Sequence, residues 1–318
     1  MSGSLKYPDE TAEKVLFAPI EDGADRLCIL ASEATPSMAS WLLKSYEESG
    51  ISGVTVELII GDTLNKGMDK NLHESFQELH GTRYSDKWGN FSCSYLIQPP
   101  VLGTENYCIW MKGDVPVKAY KFSGPFTQQY FLHENKDDIK ETDTALAYEV
   151  YKEAEKRSMY CTHAEVDEYV VFRLSDDSTV EQLAADDENC VHLSLLTKHG
   201  DMGKRSGLNW GQRNNRNRNE AYIPLPSHIA RTGFFPLDKQ HFLVVTDDHH
   251  TLQLRVEQQN DKAITTPASN ALLGEYFRNR LGLCNGAYVR KEDLLAYGRT
   301  DVTFYKIDEE QYYMDFSV

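Results

Sequence analysis

Residues 206–235 read SGLNWGQRNNRNRNEAYIPLPSHIARTGFF. The first half of this stretch combines Arg, Asn and Gln with Gly and one Trp, whereas the second half changes to apolar residues and Pro. The polar half lacks any hydrophobic periodicity and predicts a loop, while 221–223 favours a strand and 227–231 a short helix. We therefore predict a long basic loop that leads directly into a β-rich domain.

The charge of this loop differs from that of the rest of the chain. Residues 198–219 contain six Lys or Arg and one Asp, although the 318-residue chain has a formal net charge of −16. The net charge is −17 for residues 1–196, +5 for 197–299 and −4 for 300–318. Such asymmetry is typical of a nucleic-acid-binding module attached to an acidic body. Arg matches the guanine edge and Asn or Gln the adenine edge in the major groove, so we predict double-stranded DNA as a partner.

The regions around the loop predict two domains of different class. Runs of β-favouring residues at 191–196, 221–223, 241–246, 251–256, 302–307 and 311–316 dominate the second half, with helices only at 227–231 and 270–280. In the first half, strands at 26–31, 54–60, 91–97 and 106–111 alternate with helices at 36–48, 68–79 and 143–157. We expect an α/β domain at 1–173, a linker at 174–190 and a small barrel or sandwich at 191–318, because 174–189 is rich in Ser, Asp and Ala.

The second half resembles a known DNA-binding domain over about 120 residues. The resemblance is found in residues 206–235, in DKAITTPASNALLGEYFRNRLGL at 261–283 and in GRTDVTFYKIDEEQYYMDFSV at 298–318. They are similar to the C-terminal domain of NgoFVII-type restriction endonucleases, a pseudobarrel like that of plant auxin-response transcription factors. The resemblance implies two arms in the major groove, at 205–218 and 257–266. The DNA-contact candidates that it implies are Lys204, Arg205, Asn209, Trp210, Gln212, Arg213, Arg216, Arg218, Gln259 and Lys262.

The first half resembles the phospholipase-D-type nuclease of the same family. That chemistry uses H-x-K, in which His attacks phosphorus and Lys neutralises the phosphoryl oxygens, and a G-S-x-N segment that supplies hydrogen bonds. Trp110, Pro116 and Phe131 fix the register of 105–131 against the family pattern. This register places Thr104 at the His and Asn106 at the Lys. In the second segment, only Ser123 is retained, and Pro125 replaces the Asn. The resemblance therefore implies a nuclease fold with a degenerate catalytic motif.

Other catalytic centres have little support in the sequence. H-x-K is absent, and His73, His80, His133, His163 and His192 lie on predicted helices or in polar loops. The only E-x-K triplet, Glu134–Lys136 with Asp114 upstream, is expected by chance in a chain this acidic. Zinc-ligand spacing, a phosphate-binding glycine loop and a G-x-S-x-G elbow are also absent. We predict neither a metal nor a cofactor.

Three functions remain open. The chain is a sequence-specific DNA-binding protein with a lost active site, an active restriction endonuclease, or a regulator that recruits a helicase-like partner. In the second case, a partner subunit could supply the missing groups. We expect a homodimer through the N-terminal domain, as the family resemblance implies. A polar, acidic start and the absence of a long apolar run favour a cytoplasmic protein without a membrane segment.

Overall fold

The computed structural model describes residues 10–80, 90–99, 105–133, 138–173 and 189–318. The chain divides into two compact units, 1–175 and 176–318. The predicted linker 174–190 lies outside the described residues except for its last two, and the second of these, Cys190, already begins a strand. Among the described residues, no helix combines the length and the apolar character needed to cross a bilayer.

A seven-stranded mixed sheet forms the N-terminal unit, with the order β7-β6-β5-β1-β2-β4-β8. β1, β2 and β4 are parallel to one another, and the other pairs are antiparallel. A short parallel pair, β3 and β9, stands apart. The strands are β1 Arg26–Ala31, β2 Thr55–Ile60, β3 Met68–Asp69, β4 Asn90–Leu96, β5 Asn106–Lys112, β6 Val115–Phe122, β7 Lys140–Glu141, β8 Ser158–Tyr160 and β9 Phe172–Arg173.

Helices cover this sheet, and side-chain caps start the two longest. Thr35 Oγ1 accepts a hydrogen bond from Met38 N, and Asp143 does the same for Leu146 N, as its position before an apolar helix predicts. The predicted helix at 68–79 begins two residues later, because 68–69 pairs with β9. The helices are Glu10–Leu16, Ala18–Glu21, Pro36–Glu48, Thr63–Lys66, Lys70–His80, Thr144–Glu155 and Val166–Tyr169, with a π-helical turn at Gln129–His133.

The β5–β6 hairpin crosses the middle of this unit and brings the two predicted catalytic segments together. Residues 106–111 of β5 are buried, and Trp110 Nε1 donates to the carbonyl oxygen of Val15 at 2.7 Å. The register pairs Asn106 with Phe122. The first residue of β5 is therefore next to the turn that follows β6.

A second seven-stranded sheet, in the order β10-β15-β16-β12-β13-β14-β11, forms the C-terminal unit. Its edge strands, β10 and β11, lie beside each other, so the sheet is a nearly closed pseudobarrel and confirms the predicted fold class. Phe235, Phe242, Phe304 and Tyr312 fill its interior. The strands are β10 Cys190–Ser194, β11 Ile223–Pro224, β12 His241–Thr246, β13 Thr251–Glu257, β14 Ala263–Thr265, β15 Asp301–Lys306 and β16 Gln311–Asp315.

Within the described residues 189–318, three α-helices accompany the pseudobarrel: Ser227–Ala230, Ala271–Arg280 and Lys291–Tyr297. The first two confirm predicted helices, and the third was not predicted from the sequence. A 3₁₀ helix at Gly207–Gln212 interrupts the predicted basic loop. Residues 263–265 of the second predicted arm form a buried strand, so the exposed part of that arm is limited to 258–262.

Candidate nucleic-acid interface

The basic segment 198–219, here called the first arm, connects β10 to β11 and presents its cations to solvent. Solvent-exposed Arg and Lys side chains are free to contact phosphates and base edges. The exposed side chains of the first arm include Lys204, Arg205, Arg213, Arg216 and Arg218, together with Asn214, Asn215 and Asn217. Eight of the ten contact candidates thus lie on the first arm, and five of them are exposed.

Arg216 has a fixed position on this arm. Its guanidinium carbon lies 4.0 Å from the centroid of the Trp210 ring, and it forms an ion pair with Glu220. Trp210 is half-buried and packs edge-to-face against Tyr222, with ring centroids 5.5 Å apart. A cation stacked on Trp loses less side-chain freedom when it binds a ligand. Trp210 therefore supports Arg216.

The tip of the first arm is a tight turn. Arg213 Nε donates to the carbonyl oxygen of Arg205 at 2.9 Å, which ties two basic positions together. Asn215 adopts a left-handed conformation with φ 62°, which Asn tolerates better than most residues. A Cβ on Gly211 would clash with the carbonyl oxygen of Asn217, so the turn needs glycine there.

Asn209 does not belong among the DNA-contact residues. Its side chain is fully buried, Nδ2 donates to the carbonyl oxygens of Val289 and Gly203, and Oδ1 accepts from Val289 N. Gln212 is half-buried, and its Nε2 donates to the carbonyl oxygens of Arg218 and Gly286. The amide groups that match an adenine edge also match a peptide group, and here they bind the main chain.

The second arm is the turn 258–262 between β13 and β14, and it carries Gln259 and Lys262 as exposed side chains. Gln258, Asn260 and Asp261 all have φ between 53° and 73°, which gives the turn a defined shape. Leu225 N donates to the carbonyl oxygen of Lys262 at 2.9 Å. Since β11 and β14 are antiparallel, the two arms flank this strand pair from opposite ends.

Sequence reasoning missed Arg278, a fully buried residue beneath the first arm. Its guanidinium donates to the carbonyl oxygens of Leu208, Gly274 and Ala287 at 2.8–3.1 Å and to that of Asn219 at 3.4 Å. Burial lowers the pKa of Arg278, but a guanidinium keeps its charge in proteins. Nothing in the sequence distinguishes Arg278 from the exposed arginines of the first arm. Its role depends on four carbonyl groups that are brought together only in the folded protein.

In the N-terminal unit, the amide of Asn106, which the sequence comparison predicted at the position of the family's reactive Lys, is hydrogen-bonded on both sides. Ser32 N donates to Asn106 Oδ1 at 2.7 Å, and Asn106 Nδ2 donates to the carbonyl oxygen of Gly124 at 2.7 Å. The side chain is buried. Asn106 thus joins the end of β1 to the turn after β6. Thr104 lies outside the described residues.

Ser123, which the sequence comparison predicted as part of the second catalytic segment, is also hydrogen-bonded. Its hydroxyl donates to Asp138 Oδ1 at 2.9 Å, and the hydroxyl of Tyr130 donates to Asp138 Oδ2 at 2.8 Å. Hydrogen bonds from Tyr130 and Ser123 lower the pKa of the Asp138 carboxyl. Pro125, which follows in the same turn, has no side-chain donor. The Asp138 carboxylate thus lies directly beside the Ser123 hydroxyl.

Two lysines near these residues are already paired. Lys66 forms ion pairs with Glu33 and Asp62, and Lys121 pairs with Glu105, the residue before Asn106. Within the described ranges, no group of three or more His, Cys, Asp or Glu is arranged to hold a metal ion. Asp114 is exposed and faces Arg26 at 3.7 Å, and the triplet 134–136 lies outside the described residues.

The five histidines considered from sequence all have partners within the structure. His73 Nδ1 lies 3.0 Å from the Tyr95 hydroxyl, and its ring stacks on Phe172 at 4.0 Å. Its burial lowers the pKa of His73 to about 4. His80 accepts from Cys93 N, His163 from Glu165 N, and His192 contacts the Thr303 hydroxyl. His133 lies in the π-helical turn.

Comparison with protein families agrees with both halves of this description. Residues 10–168 match the model of the NgoFVII restriction endonuclease N-terminal PLD domain. Residues 183–308 match the model of the NgoFVII C-terminal B3-like DNA-binding domain. A search of curated proteins found no match. The chain therefore belongs to the NgoFVII restriction endonuclease family, with a phospholipase-D-like N-terminal unit and a B3-like DNA-binding C-terminal unit.

Proposed function

We propose that this restriction-type protein binds a specific double-stranded DNA sequence through its two arms and does not itself hydrolyse the phosphodiester backbone. The observation that carries the binding half is the exposed, acid-poor first arm, where Arg216 is supported by Trp210. Exposed Arg side chains provide bidentate donors for guanine and salt-dependent contacts to phosphate.

The position of the arms supports duplex DNA as the ligand. The first arm precedes β11, the second precedes β14, and these strands pair directly. Two polar projections at the two ends of one strand pair fit a groove with a phosphate strand on either side. Gln259 and Lys262 contribute from the second arm, and the five exposed contact candidates contribute from the first.

The loss of hydrolysis is supported by the state of Asn106 and Ser123. An amide bonded to main-chain groups carries no charge to stabilise a phosphorane, and the Ser123 hydroxyl is already donated to a carboxylate. Glu33 and Asp62 pair with Lys66, and Glu105 pairs with Lys121, beside this site. Removal of a nucleophile typically costs several orders of magnitude in rate.

Selection of oligonucleotides from a random pool tests this proposal directly. Purified protein should enrich one sequence, and a duplex of that sequence should be retarded in a gel but remain uncut, both in EDTA and with magnesium. Failure to enrich any sequence would contradict the binding half. Cleavage of the selected duplex by the purified chain would contradict the catalytic half and favour an active endonuclease.

The proposal also includes a homodimer formed through the N-terminal unit, which would present two DNA-binding units. Light scattering after size-exclusion chromatography should give a mass near twice 36.3 kDa. A monomeric mass across the concentration range would contradict the homodimer. The protein would then bind DNA through a single C-terminal unit. Co-purification with a second nuclease or helicase-like chain would instead favour a hetero-oligomer.

A further inference from the structure

A loop outside both arms carries a third exposed polar surface next to the first arm. It follows the helix Ala271–Arg280, and its Gly282 and Gly286 have φ of 68° and 76°. We propose that residues 284–290, here called the third segment, contact the phosphate backbone of bound duplex DNA through Tyr288 and Arg290. This inference rests on the proposed function, and it adds a part of the interface that the arms do not include.

Side-chain amides hold the third segment against the first arm. Gly286 N donates to Asn219 Oδ1 at 2.6 Å, and the carbonyl oxygen of Gly286 accepts from Gln212 Nε2 at 3.2 Å. Asn209 binds both the N–H and the carbonyl oxygen of Val289. Since three residues of the first arm bind its backbone, the third segment has a fixed position beside that arm.

Arg278 strengthens this connection from inside the unit. It donates to the carbonyl oxygens of Leu208 and Asn219 in the first arm and to that of Ala287 in the third segment. These partners are all main-chain carbonyls, so the bonds bring no carboxylate to neutralise its charge. The buried guanidinium thus connects both segments through their main chain, while the nearby Glu275 carboxylate, which accepts from Asn219 Nδ2 at 3.2 Å, offsets part of its charge.

The side chains around Val289 alternate between interior and surface. Val289 is fully buried, whereas Tyr288 is 41% exposed and Arg290 is exposed. The carboxylate of Asp293, which follows shortly after, accepts from Arg290 N and caps the next helix. Residues 282–290 contain no acidic side chain. Tyr hydroxyl and Arg guanidinium groups are common donors to phosphate, and such contacts position the protein without reading sequence.

Cys284 provides a direct probe of the third segment. It is exposed, whereas Cys190 is half-buried and the other four cysteines of the chain are buried. Alkylation of Cys284 by a maleimide should proceed in the free protein and be lost when the selected duplex is bound. Unchanged alkylation of Cys284 in a complex verified by gel retardation would contradict the proposed DNA contact of the third segment. It would not affect the proposed role of the two arms. Absence of any complex would instead contradict the proposed function.

Substitution of Arg290 gives a second, independent test. We expect Arg290→Ala to weaken binding to selected and unrelated duplexes by the same factor. It should also lower the slope of log affinity against log salt by about 0.9, the value for one lost phosphate contact. The matched control is Lys306→Ala, because Lys306 ends β15 beside the start of β10, away from the strand end that leads into the first arm. An unchanged slope for Arg290→Ala would contradict the proposed contact.

Discussion

Asn106 Nδ2 donates to the carbonyl oxygen of Gly124 at 2.7 Å and so joins the first residue of β5 to the turn after β6. The same amide accepts from the N–H of Ser32, the residue that follows β1. Asn106 is thus a structural link between three strand ends. If Asn106 lies at the position of the catalytic Lys, as we propose, a structural amide has replaced the reactive ammonium group.

Asn106→Ala should destabilise the protein by roughly 1–3 kcal/mol, since it leaves Ser32 N and the Gly124 carbonyl without their partner. Urea denaturation measures the change in the free energy of unfolding. Asn65→Ala is the matched control, because Asn65 is exposed and its amide makes only a 3.5 Å contact with Asp62. Equal stability of the two variants would contradict the structural role of Asn106.

Restoration of the family motif should not restore hydrolysis. The double variant Thr104→His and Asn106→Lys should show little cleavage, because Ser123 still donates to Asp138 and Pro125 supplies no amide. The measurement is cleavage of the selected duplex over hours at high enzyme concentration. Strong cleavage by this variant would show that the second segment is less important than its hydrogen bonds indicate.

Arg213→Ala should weaken specific binding by roughly 1–3 kcal/mol if the guanidinium makes a bidentate base contact. Fluorescence anisotropy with the selected duplex measures the affinity, with Lys306→Ala as the control. A loss on the selected sequence that exceeds the loss on unrelated DNA would identify a base contact. An unchanged affinity would remove Arg213 from the interface.

Glu220→Gln should reduce discrimination between DNA sequences. It removes the ion pair with Arg216 and adds one unit of positive charge to the basic region. Unrelated duplexes should bind more tightly, and the slope of log affinity against log salt should increase by up to about 0.9. Glu309→Gln removes the partner of Lys306, in the β15–β16 turn, and should leave binding unchanged. Identical effects of the two substitutions would indicate a general charge effect.

His73 predicts an acid sensitivity of the N-terminal unit. Its pKa is about 4 in the folded protein and 6.5 in an ordinary environment, so the unfolded chain binds a proton more readily. The contribution of neutral His73 to stability is therefore complete above pH 6.5 and is lost as the pH falls towards 4. Urea midpoints across this range should fall less steeply in His73→Phe, whereas His163→Ala should follow the wild type. If the urea midpoint of His73→Phe depended on pH as steeply as that of the wild type, His73 would not be the source of the acid sensitivity.

Much of the fold could be predicted from the sequence, because strands such as β1 and the helix capped by Asp143 follow local patterns. The exposure of Arg213 could also be predicted, because the segment around it lacks apolar periodicity and therefore predicts a surface loop. The structural use of Asn209 was not, since one amide fits a base edge and a peptide group equally well. The burial of Arg278 could not be predicted either, because a buried cation needs hydrogen-bond partners, and here these include carbonyl groups distant in sequence.

The most direct test of the account follows binding and cleavage of one end-labelled duplex in the same sample. The duplex carries the sequence selected from a random pool, and the purified full-length chain is added with magnesium or with EDTA. If the protein binds its site without cleaving it, we expect a retarded complex from which intact DNA is recovered after denaturation in both conditions. Recovery of cut strands, or retardation that does not distinguish the selected sequence from unrelated DNA, would contradict it.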